Sequence, residues 1–267
     1  MKDAKTAAAG VDRGGTWTRL SCVDSRGREL RRASFPTSDL GRLTARLEKE
    51  FKKLKLNAEI PLIIATRGAF SKKWKRDFLF KAARRRFNLV NVISDAEAAH
   101  FAAFGGKEGL LLIAGTGSVA FYRDNTGRLV KTGGYNPVGG DPGSGRWLGR
   151  QYLKKLNKPL TGLSRGQTAA YAAVLLASAE KKEGWQRKLV ERAQNSLAAL
   201  IAKSLKKTPR AKKIKVALAG GLTKNKFFRE GLIKRTREIS TAALVFTEAR
   251  VTAQTAAARM ALRRVEG

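Results

Sequence analysis

Apolar and polar positions in the first part of the chain change from a strand pattern to a helix pattern. Three short segments are apolar or alternate between apolar and polar residues, which is typical of β-strands. Leucine and phenylalanine then recur at three- and four-residue steps, which indicates an amphipathic helix with Ser38 or Asp39 as its expected N-cap. The predicted elements are strands at 7–12, 16–23 and 28–34, a helix at 40–54, a strand at 61–65, a helix at 71–86, a strand at 89–93 and a helix at 95–104.

The same order of elements recurs from residue 110 onward. Strands are predicted at 110–114, 118–123 and 128–132, helices within 133–207, a strand at 214–219, a helix at 222–238, a strand at 243–247 and a helix at 251–264. No repeat of the letters accompanies this order, so the repeat is one of topology. Strands joined by turns and then strands joined by helices predict, in each half, a mixed sheet with helices on its faces.

In both halves a glycine turn joins the first strand to the second. The turns are Asp12-Arg13-Gly14-Gly15-Thr16 and Ala114-Gly115-Thr116-Gly117-Ser118. Glycine allows positive φ and the close approach of a ligand, and successive N–H groups in a tight turn form a concavity that binds anions. Each turn alone is equally well an ordinary hairpin turn. Their pairing at equivalent positions favours a nucleotide whose phosphates both turns contact.

Asp12 and a third glycine pair extend this prediction. Asp12 ends the first strand, where its carboxylate would bind the Mg²⁺ that accompanies phosphates, directly or through water. Gly220 and Gly221 follow the strand at 214–219 and precede a helix. Glycines at that junction would let a flat ligand such as adenine lie against the backbone near a helix N-terminus. These features favour a bound nucleotide whose phosphates are accompanied by Mg²⁺.

The charge of the chain is unusually positive. Its 267 residues carry a formal net charge of +34, and the isoelectric point is about 11.1. Two interpretations stay open: a well-solvated basic surface, or attraction to a polyanion such as nucleic acid, anionic lipid or polyphosphate. The basic segments 71–86 and 203–215 contain regularly spaced apolar residues or adjoin strands. We expect them to be outer faces of folded elements.

Few residues are available for redox, metal or histidine chemistry. Cys22 is the only cysteine, which excludes a disulfide within the chain and a Cys-x-x-Cys site. His100 is the only histidine, and we expect it to be a packed or partly exposed helix residue, not a catalytic one. The first residues contain no apolar segment of signal-peptide length, and no apolar run approaches the roughly 18–20 residues of a membrane span. These patterns predict a cytoplasmic protein without a membrane span.

Five segments together resemble one protein family. They are DRGGT at 12–16, SDAEAAHFAAF at 94–104, AGTGSVAFYRD at 114–124, GGDPGSGRWLGR at 139–150 and ALAGGL at 217–222. In this order, and over nearly the whole chain, they resemble the N-acetylglucosamine kinase branch of the BadF/BadG-type ATPase family. That family belongs to the superfamily of acetate and sugar kinases, Hsp70 and actin.

The resemblance implies an α/β fold with two ribonuclease-H-like (actin-like ATPase) domains, each a mixed sheet flanked by helices, and an active site in the cleft between them. The domains are expected at 1–106 and 107–267, and the last helix is allowed to pack back on the N-terminal domain. The implied activity is that of an ATP-dependent kinase for the primary hydroxyl of an amino sugar, N-acetylglucosamine or a related N-acetylhexosamine or glucosamine. A homodimer is one possible oligomeric state of such a kinase.

The resemblance also implies roles for individual residues. Asp95 matches the family's catalytic base, although its residue type and position alone favour a helix cap. Glu97 is expected to serve the helix N-terminus. The implied ATP-binding residues are Asp12, Gly14, Gly15, Thr16, Gly115, Thr116, Gly220 and Gly221, with Asp12 also the metal ligand. The implied sugar contacts are Gly117, Ser118 and Asp141, and an Asp-Pro turn is the alternative role for Asp141.

The sequence departs from the family pattern in three places. In the first glycine turn, Arg13 stands where many relatives have glycine or an apolar residue. Thr66 and Arg67 stand where relatives often have a serine-glycine step. Ser38 and Asp39 stand where relatives often have a sugar-binding asparagine. These departures leave the identity of the sugar open. A dehydratase activator with an iron–sulfur cluster is excluded because one cysteine is too few for the cluster. The alternative function is a catalytically inactive nucleotide-binding regulator whose basic surface binds nucleic acid.

Overall fold

A computed structural model describes residues 5–136, 140–181, 184–206 and 213–264. Residues 137–139, within the glycine-rich loop 133–145, and residues 207–212 of the basic segment 203–215 lie outside the described residues. The chain forms two compact units. The first unit comprises Met1–Gly106 and Ala249–Gly267, and the second comprises Lys107–Glu248.

The first unit contains a five-stranded mixed sheet. In chain order its elements are β1 (Ala8–Arg13), β2 (Trp17–Val23), β3 (Glu29–Pro36), a 3₁₀ turn (Leu40–Arg42), α1 (Leu43–Lys53), β4 (Leu62–Thr66), α2 (Lys73–Ala83), β5 (Leu89–Ser94) and α3 (Asp95–Phe104). The strand order is β3-β2-β1-β4-β5. The β1–β2 and β2–β3 pairs are antiparallel, whereas β1–β4 and β4–β5 are parallel.

The second unit repeats this arrangement, and the last helix follows it in the chain. Its elements are β6 (Gly109–Ala114), β7 (Ser118–Arg123), β8 (Leu129–Gly133), α4 (Gly145–Lys155), α5 (Arg165–Lys181), α6 (Trp185–Leu205), β9 (Lys213–Ala219), a 3₁₀ turn (Leu222–Lys224), α7 (Lys226–Ile239) and β10 (Ala243–Thr247), with α8 at Ala253–Arg263. The strand order β8-β7-β6-β9-β10 matches that of the first unit position by position. The predicted repeat of topology is therefore confirmed.

Asp39 lies at the predicted N-cap position of the first helix but does not cap it with its side chain. The helix begins with the 3₁₀ turn, and the side chain of Asp39 makes no capping hydrogen bond there. The residue at the N-cap of α1 is Arg42, again without a side-chain bond. Burial lowers the pKa of the Arg13 guanidinium, and the negative charge of Asp39 opposes that shift, so Asp39 lies near this group.

Both faces of the first sheet are covered by helices. Leu62 and Ile64 of β4 pack with α1 and α2 on one face, while Ile63 and Ala65 pack on the other face with α3 and α8. Gly10, in β1, permits the contact with α8, because a side chain there would collide with the backbone of that helix. The last helix of the chain thus completes the core of the first unit.

The remaining predictions on single residues agree with this core. His100 is fully buried in α3, with its ring centroid 4.6 Å from that of Phe104. Cys22 is buried in β2, and burial raises the pKa of its thiol to about 12. Within the described ranges, no helix is both long and apolar enough to cross a membrane.

Candidate functional site

The start of α3 separates the roles of two neighbouring residues. Ser94 is the N-cap, because its Oγ accepts a hydrogen bond from the Glu97 amide at 3.1 Å. The Glu97 carboxylate accepts in turn from the Ser94 amide at 2.7 Å, which completes a capping box. The interpretation of Asp95 as the helix cap is therefore wrong, whereas the helix-terminal role of Glu97 is confirmed. Asp95 is the first helical residue, and its Oδ1 accepts from the Ala96 amide at 3.0 Å.

Asp12 and Asp95 lie at the same edge of the first sheet. β1 and β5 both run parallel to β4, with Asp12 opposite Ala65 and Ser94 opposite Thr66. Burial, assisted by the charge of Asp95, raises the pKa of Asp12 to about 6, although Arg19 opposes the shift. Burial also raises the pKa of Asp95, against the lowering effect of the Ala96 amide and other nearby donors.

This pair of carboxylates has the properties that a divalent cation requires. Repulsion between the two negative charges contributes to the raised pKa of Asp12, and a cation would relieve it. No cluster of three or more His, Cys, Asp or Glu side chains suited to a metal occurs in the part of the chain that the structure describes. A Mg²⁺ ion here would therefore take most of its oxygen ligands from phosphate and water, as it does in many phosphate sites.

The first glycine turn leaves two backbone amides available. The Gly14 amide donates to the Trp17 carbonyl oxygen at 3.0 Å, and the Thr16 carbonyl oxygen accepts from Thr37 at 2.8 Å. The amides of Gly15 and Thr16 have no acceptor among the described residues. Neither Gly14 nor Gly15 has positive φ, so their conformational freedom is not used. Space is what Gly15 provides, since a Cβ there would lie 2.6 Å from Nη1 of Arg67.

The second glycine turn is bound to the start of α4. The carbonyl oxygens of Gly115 and Thr116 accept hydrogen bonds from the first two amides of that helix, at 2.7 and 3.2 Å. Gly115 donates to Gly117 at 2.9 Å, and these two glycines also lack positive φ. Ser118 is 2% exposed, and its hydroxyl donates to the Pro142 carbonyl oxygen at 3.1 Å. The turn is thereby held in one conformation by the loop and helix that follow.

Asp141 organises the glycine-rich loop before α4. Its Oδ1 accepts hydrogen bonds from the amides of Tyr135 and Asn136, both at 2.9 Å. Its main-chain oxygen accepts from the Ser144 amide at 3.0 Å, so the turn role proposed for this residue is present. Oδ2 has a different environment, because a Cβ on Gly117 would lie 3.4 Å from it. The structure therefore brings Asp141 and Gly117 together.

A cavity of about 600 Å³ lies within the second unit. It is lined by Gly115, Thr116, Gly145, Gly166, Ala169, Ala170, Ala172, Ala173, Leu176, Ala177, Glu180, Gly221, Leu222 and Asn225. Most of these residues are glycine or alanine, so the walls are flat and largely apolar, while the side chains of Thr116, Glu180 and Asn225 supply polar atoms. Such a space suits an aromatic base with a polar sugar attached.

Three of the predicted nucleotide-binding residues line this cavity, and a fourth, Gly220, packs against the neighbouring strand β6. Gly115, Thr116 and Gly221 are part of the lining. Gly220 has φ +104°, and a side chain there would collide with the backbone of Ala114, so it fixes how β9 ends beside β6. The alanine face of α5 was missed by sequence reasoning. Its signal is the run of small residues between 169 and 177, which is equally typical of helix packing.

Comparisons with known proteins complete the description of the site. Residues 9–243 match the model of the BadF/BadG/BcrA/BcrD ATPase family. An N-acetylmuramic acid/N-acetylglucosamine kinase of Clostridium acetobutylicum is 38% identical over 65 residues, which span 24% of this chain and 21% of that relative. This curated match therefore covers about a fifth of the relative's length.

Two solved structures share the fold over nearly the full chain. A candidate N-acetylglucosamine kinase from Chromobacterium violaceum is 22% identical with a TM-score of 0.72, covering 95% of this chain and 98% of its own. A ROK family glucokinase from Streptomyces griseus, in complex with glucose and AMPPNP, is 17% identical with a TM-score of 0.64, covering 96% and 99%. At these identities the likeness establishes the actin-like α/β fold.

Proposed function

Because the chain belongs to the BadF/BadG/BcrA/BcrD ATPase family, we propose that it is an ATP-dependent kinase for the primary hydroxyl of an amino sugar. The observation that carries the proposal is the state of Asp95. Ser94 and Glu97 cap α3, so Asp95 is not needed as a cap. Burial raises the pKa of Asp95, which suits a group that must accept a proton near neutral pH.

Asp95 is the proposed general base. It would accept the proton of the attacking sugar hydroxyl as that oxygen forms its bond to the γ-phosphorus of ATP, while the bond from this phosphorus to the bridging oxygen breaks and ADP leaves. Phosphoryl transfer otherwise depends on positioning and on neutralisation of charge. The Ala96 amide donates to the Asp95 carboxylate and would hold it in one orientation for this task.

The nucleotide is proposed to occupy the cavity of the second unit. The alanine face of α5 and Gly221 would contact the base, and Glu180 offers a carboxylate that accepts hydrogen bonds from ribose hydroxyls. The amides of Gly15 and Thr16 and the hydroxyl of Thr116 are proposed phosphate donors. ATP would supply the phosphoryl group, and Asp12 would hold a Mg²⁺ ion whose charge offsets that of the phosphates.

The sugar is proposed to be N-acetylglucosamine or a related N-acetylhexosamine or glucosamine. Gly117, Ser118 and Asp141 are its proposed contacts. Oδ2 of Asp141 is suited to this, because a carboxylate oxygen makes strong hydrogen bonds with hydroxyl groups and Oδ1 is already engaged in the loop. The names of the similar proteins support an amino sugar.

The direct test is turnover by the purified protein. ATP consumption and formation of a phosphorylated sugar would be measured with N-acetylglucosamine, N-acetylmannosamine, glucosamine and N-acetylmuramic acid, with glucose as the comparison sugar. We expect turnover on at least one amino sugar that exceeds turnover on glucose. A protein that binds ATP but phosphorylates none of these amino sugars would contradict the proposal.

A further inference from the structure

Four cationic side chains of the first unit lie at the same edge of the sheet as the two carboxylates. They are Arg13, Arg67, Lys72 and Lys75, hereafter the cation cluster. The Arg67 amide donates to the Arg13 carbonyl oxygen at 3.1 Å, and Lys75 Nζ donates to the Arg67 carbonyl oxygen at 3.2 Å. Burial and the charges of the three other members lower the pKa of Lys75. The other three positive charges are therefore within electrostatic reach of Lys75.

Nearby carboxylates do not pair directly with these cations. Among the described residues, no ion pair within 4.0 Å includes a member of the cluster. Arg13 donates from Nη2 to the Ser38 carbonyl oxygen at 2.6 Å, while its Nε is buried without a hydrogen-bond partner. The Arg67 guanidinium lies against Gly15. Nε of Arg13 and the Arg67 guanidinium thus have no hydrogen-bond acceptor among the described residues.

The three departures from the family pattern meet at this place. Arg13 comes from the first glycine turn, Ser38 and Asp39 come from the segment after β3, and Arg67 follows β4. Hydrogen bonds join Arg13 to both other segments, and the charge of Asp39 acts on Arg13. These departures from the family pattern lie together beside the proposed base. Such a grouping is expected if the sugar acceptor of this protein differs in chemistry from that of its relatives.

We propose that the cation cluster binds an anionic substituent of the acceptor, a carboxylate, so that the protein prefers an acidic amino sugar to a neutral one. This inference rests on the proposed kinase function and names the substrate class of that site. Asp95 must contact the attacking hydroxyl. Arg67 follows β4, the strand between β1 and β5, which carry Asp12 and lead into Asp95, and its guanidinium lies against Gly15 in the turn after Asp12. A substituent of a sugar held at Asp95 is therefore expected on the side of Arg67. Guanidinium binds carboxylate through two parallel hydrogen bonds.

The test compares two sugars that differ in one carboxylate. N-acetylmuramic acid is N-acetylglucosamine with an added lactyl carboxylate, so the ratio of kcat/KM for the two sugars isolates the effect of the anion. We expect the wild-type protein to favour N-acetylmuramic acid. Arg67→Met should lower that ratio by about 10- to 100-fold, the loss of a hydrogen bond to a charged group, mainly through the KM of the acidic sugar. Arg67→Lys should restore part of it.

Controls separate this role from a general one. Arg85→Met removes an exposed arginine after α2 and should leave the ratio unchanged, and Lys75→Met is a second variant in case Arg67→Met fails to fold. Equal losses for both sugars in Arg67→Met would mean that the cluster serves the transferring phosphoryl group, which would overturn the inference. A wild-type preference for the neutral sugar would also overturn it.

A binding measurement keeps the inference independent of catalysis. Calorimetric titration of the protein with N-acetylmuramic acid, without nucleotide, should give tighter binding than N-acetylglucosamine, and Arg67→Met should abolish the difference. If neither sugar is phosphorylated, the proposed function fails, and the calorimetric comparison alone decides the inference. If both sugars are phosphorylated with a ratio that Arg67→Met does not change, the inference alone fails.

Discussion

At the scale of single residues, Asp12 and Asp95 place negative charge where little water can reach it. The pKa of Asp12 rises from 3.8 to about 6 because of burial and the neighbouring Asp95. A carboxyl whose pKa is higher in the folded state binds its proton more tightly there, so the free energy of unfolding falls as the pH rises from about 4 to about 6. At neutral pH the ionised pair therefore opposes folding.

Removing the charge of Asp12 should stabilise the protein while weakening its proposed metal site. A shift of about two pKa units corresponds to roughly 1–3 kcal/mol, so Asp12→Asn should raise Tm at pH 7.5 by several degrees. The gain should shrink as the pH is lowered toward 4, where Asp12 itself is protonated in the folded state. Thermal unfolding at both pH values measures this, and a lower Tm for Asp12→Asn at pH 7.5 would contradict the account.

Residue roles at this edge were only partly accessible from the sequence. Ser94 and Asp95 are both good capping residues, and the sequence does not say which of them precedes the helix by one position. The resemblance indicated Asp95 as the base, but its residue type and position also fitted a helix cap. Only the structure shows that Ser94 and Glu97 form the cap instead. The cation cluster could not be predicted, because the direction of Arg67 depends on the conformation of the loop after β4.

At the scale of elements, α5 and the second glycine turn form most of the cavity in the second unit. Small side chains on one face of α5 create the space, so its volume is sensitive to any added methylene group. Ala173 lines the cavity, whereas the neighbouring Val174 is 53% exposed and does not.

A larger residue in the wall of the cavity should weaken nucleotide binding without unfolding the protein. Ala173→Leu keeps a good helix former and fills part of the space, so the Kd for ATP should rise by about tenfold or more, as expected from overpacking of 1–3 kcal/mol. Val174→Leu on the same helix is the matched control and should bind as the wild type does. Unchanged binding in Ala173→Leu, measured by calorimetry, would place the nucleotide elsewhere.

Strands and turns of both units were predictable for a clear physical reason. Alternation with period two, as in 16–23 and 118–123, distinguishes a strand from a helix, and Gly-rich turns mark where the strands end. The cavity wall was not predictable, because alanines at helical spacing describe a packed helix and an open cavity equally well. Only the neighbours of α5 decide between the two.

At the scale of the whole molecule, the chain repeats one strand order in two units, and its last helix belongs to the first of them. The sequence predicted domains at 1–106 and 107–267 and allowed the last helix to pack on the first domain, but it could not decide whether the helix does so. The apolar face of α8 shows that the helix packs but not on what. Gly10 in the middle of β1 carries the missing signal, because a glycine inside a strand often marks the close approach of another backbone.

The contact between Gly10 and α8 gives a test of this chain-wide arrangement. Gly10→Ala would force a methyl group into the backbone of α8, so the free energy of unfolding should fall by about 1–3 kcal/mol or more. Gly41→Ala is the control, because no atom lies within 4 Å of a Cβ at that position, and it should be neutral or slightly stabilising. Equal urea midpoints for the wild type and Gly10→Ala would show that α8 does not pack on β1.

The central claim is that Asp95 accepts the proton of the attacking sugar hydroxyl. The most direct measurement is kcat of Asp95→Asn on the amino sugar that the wild type prefers, together with the Kd for ATP. The account predicts a fall in kcat of about 10²- to 10⁴-fold, the usual contribution of a general base, with ATP binding retained. An Asp95→Asn protein that folds, binds ATP and turns over at the wild-type rate would contradict it.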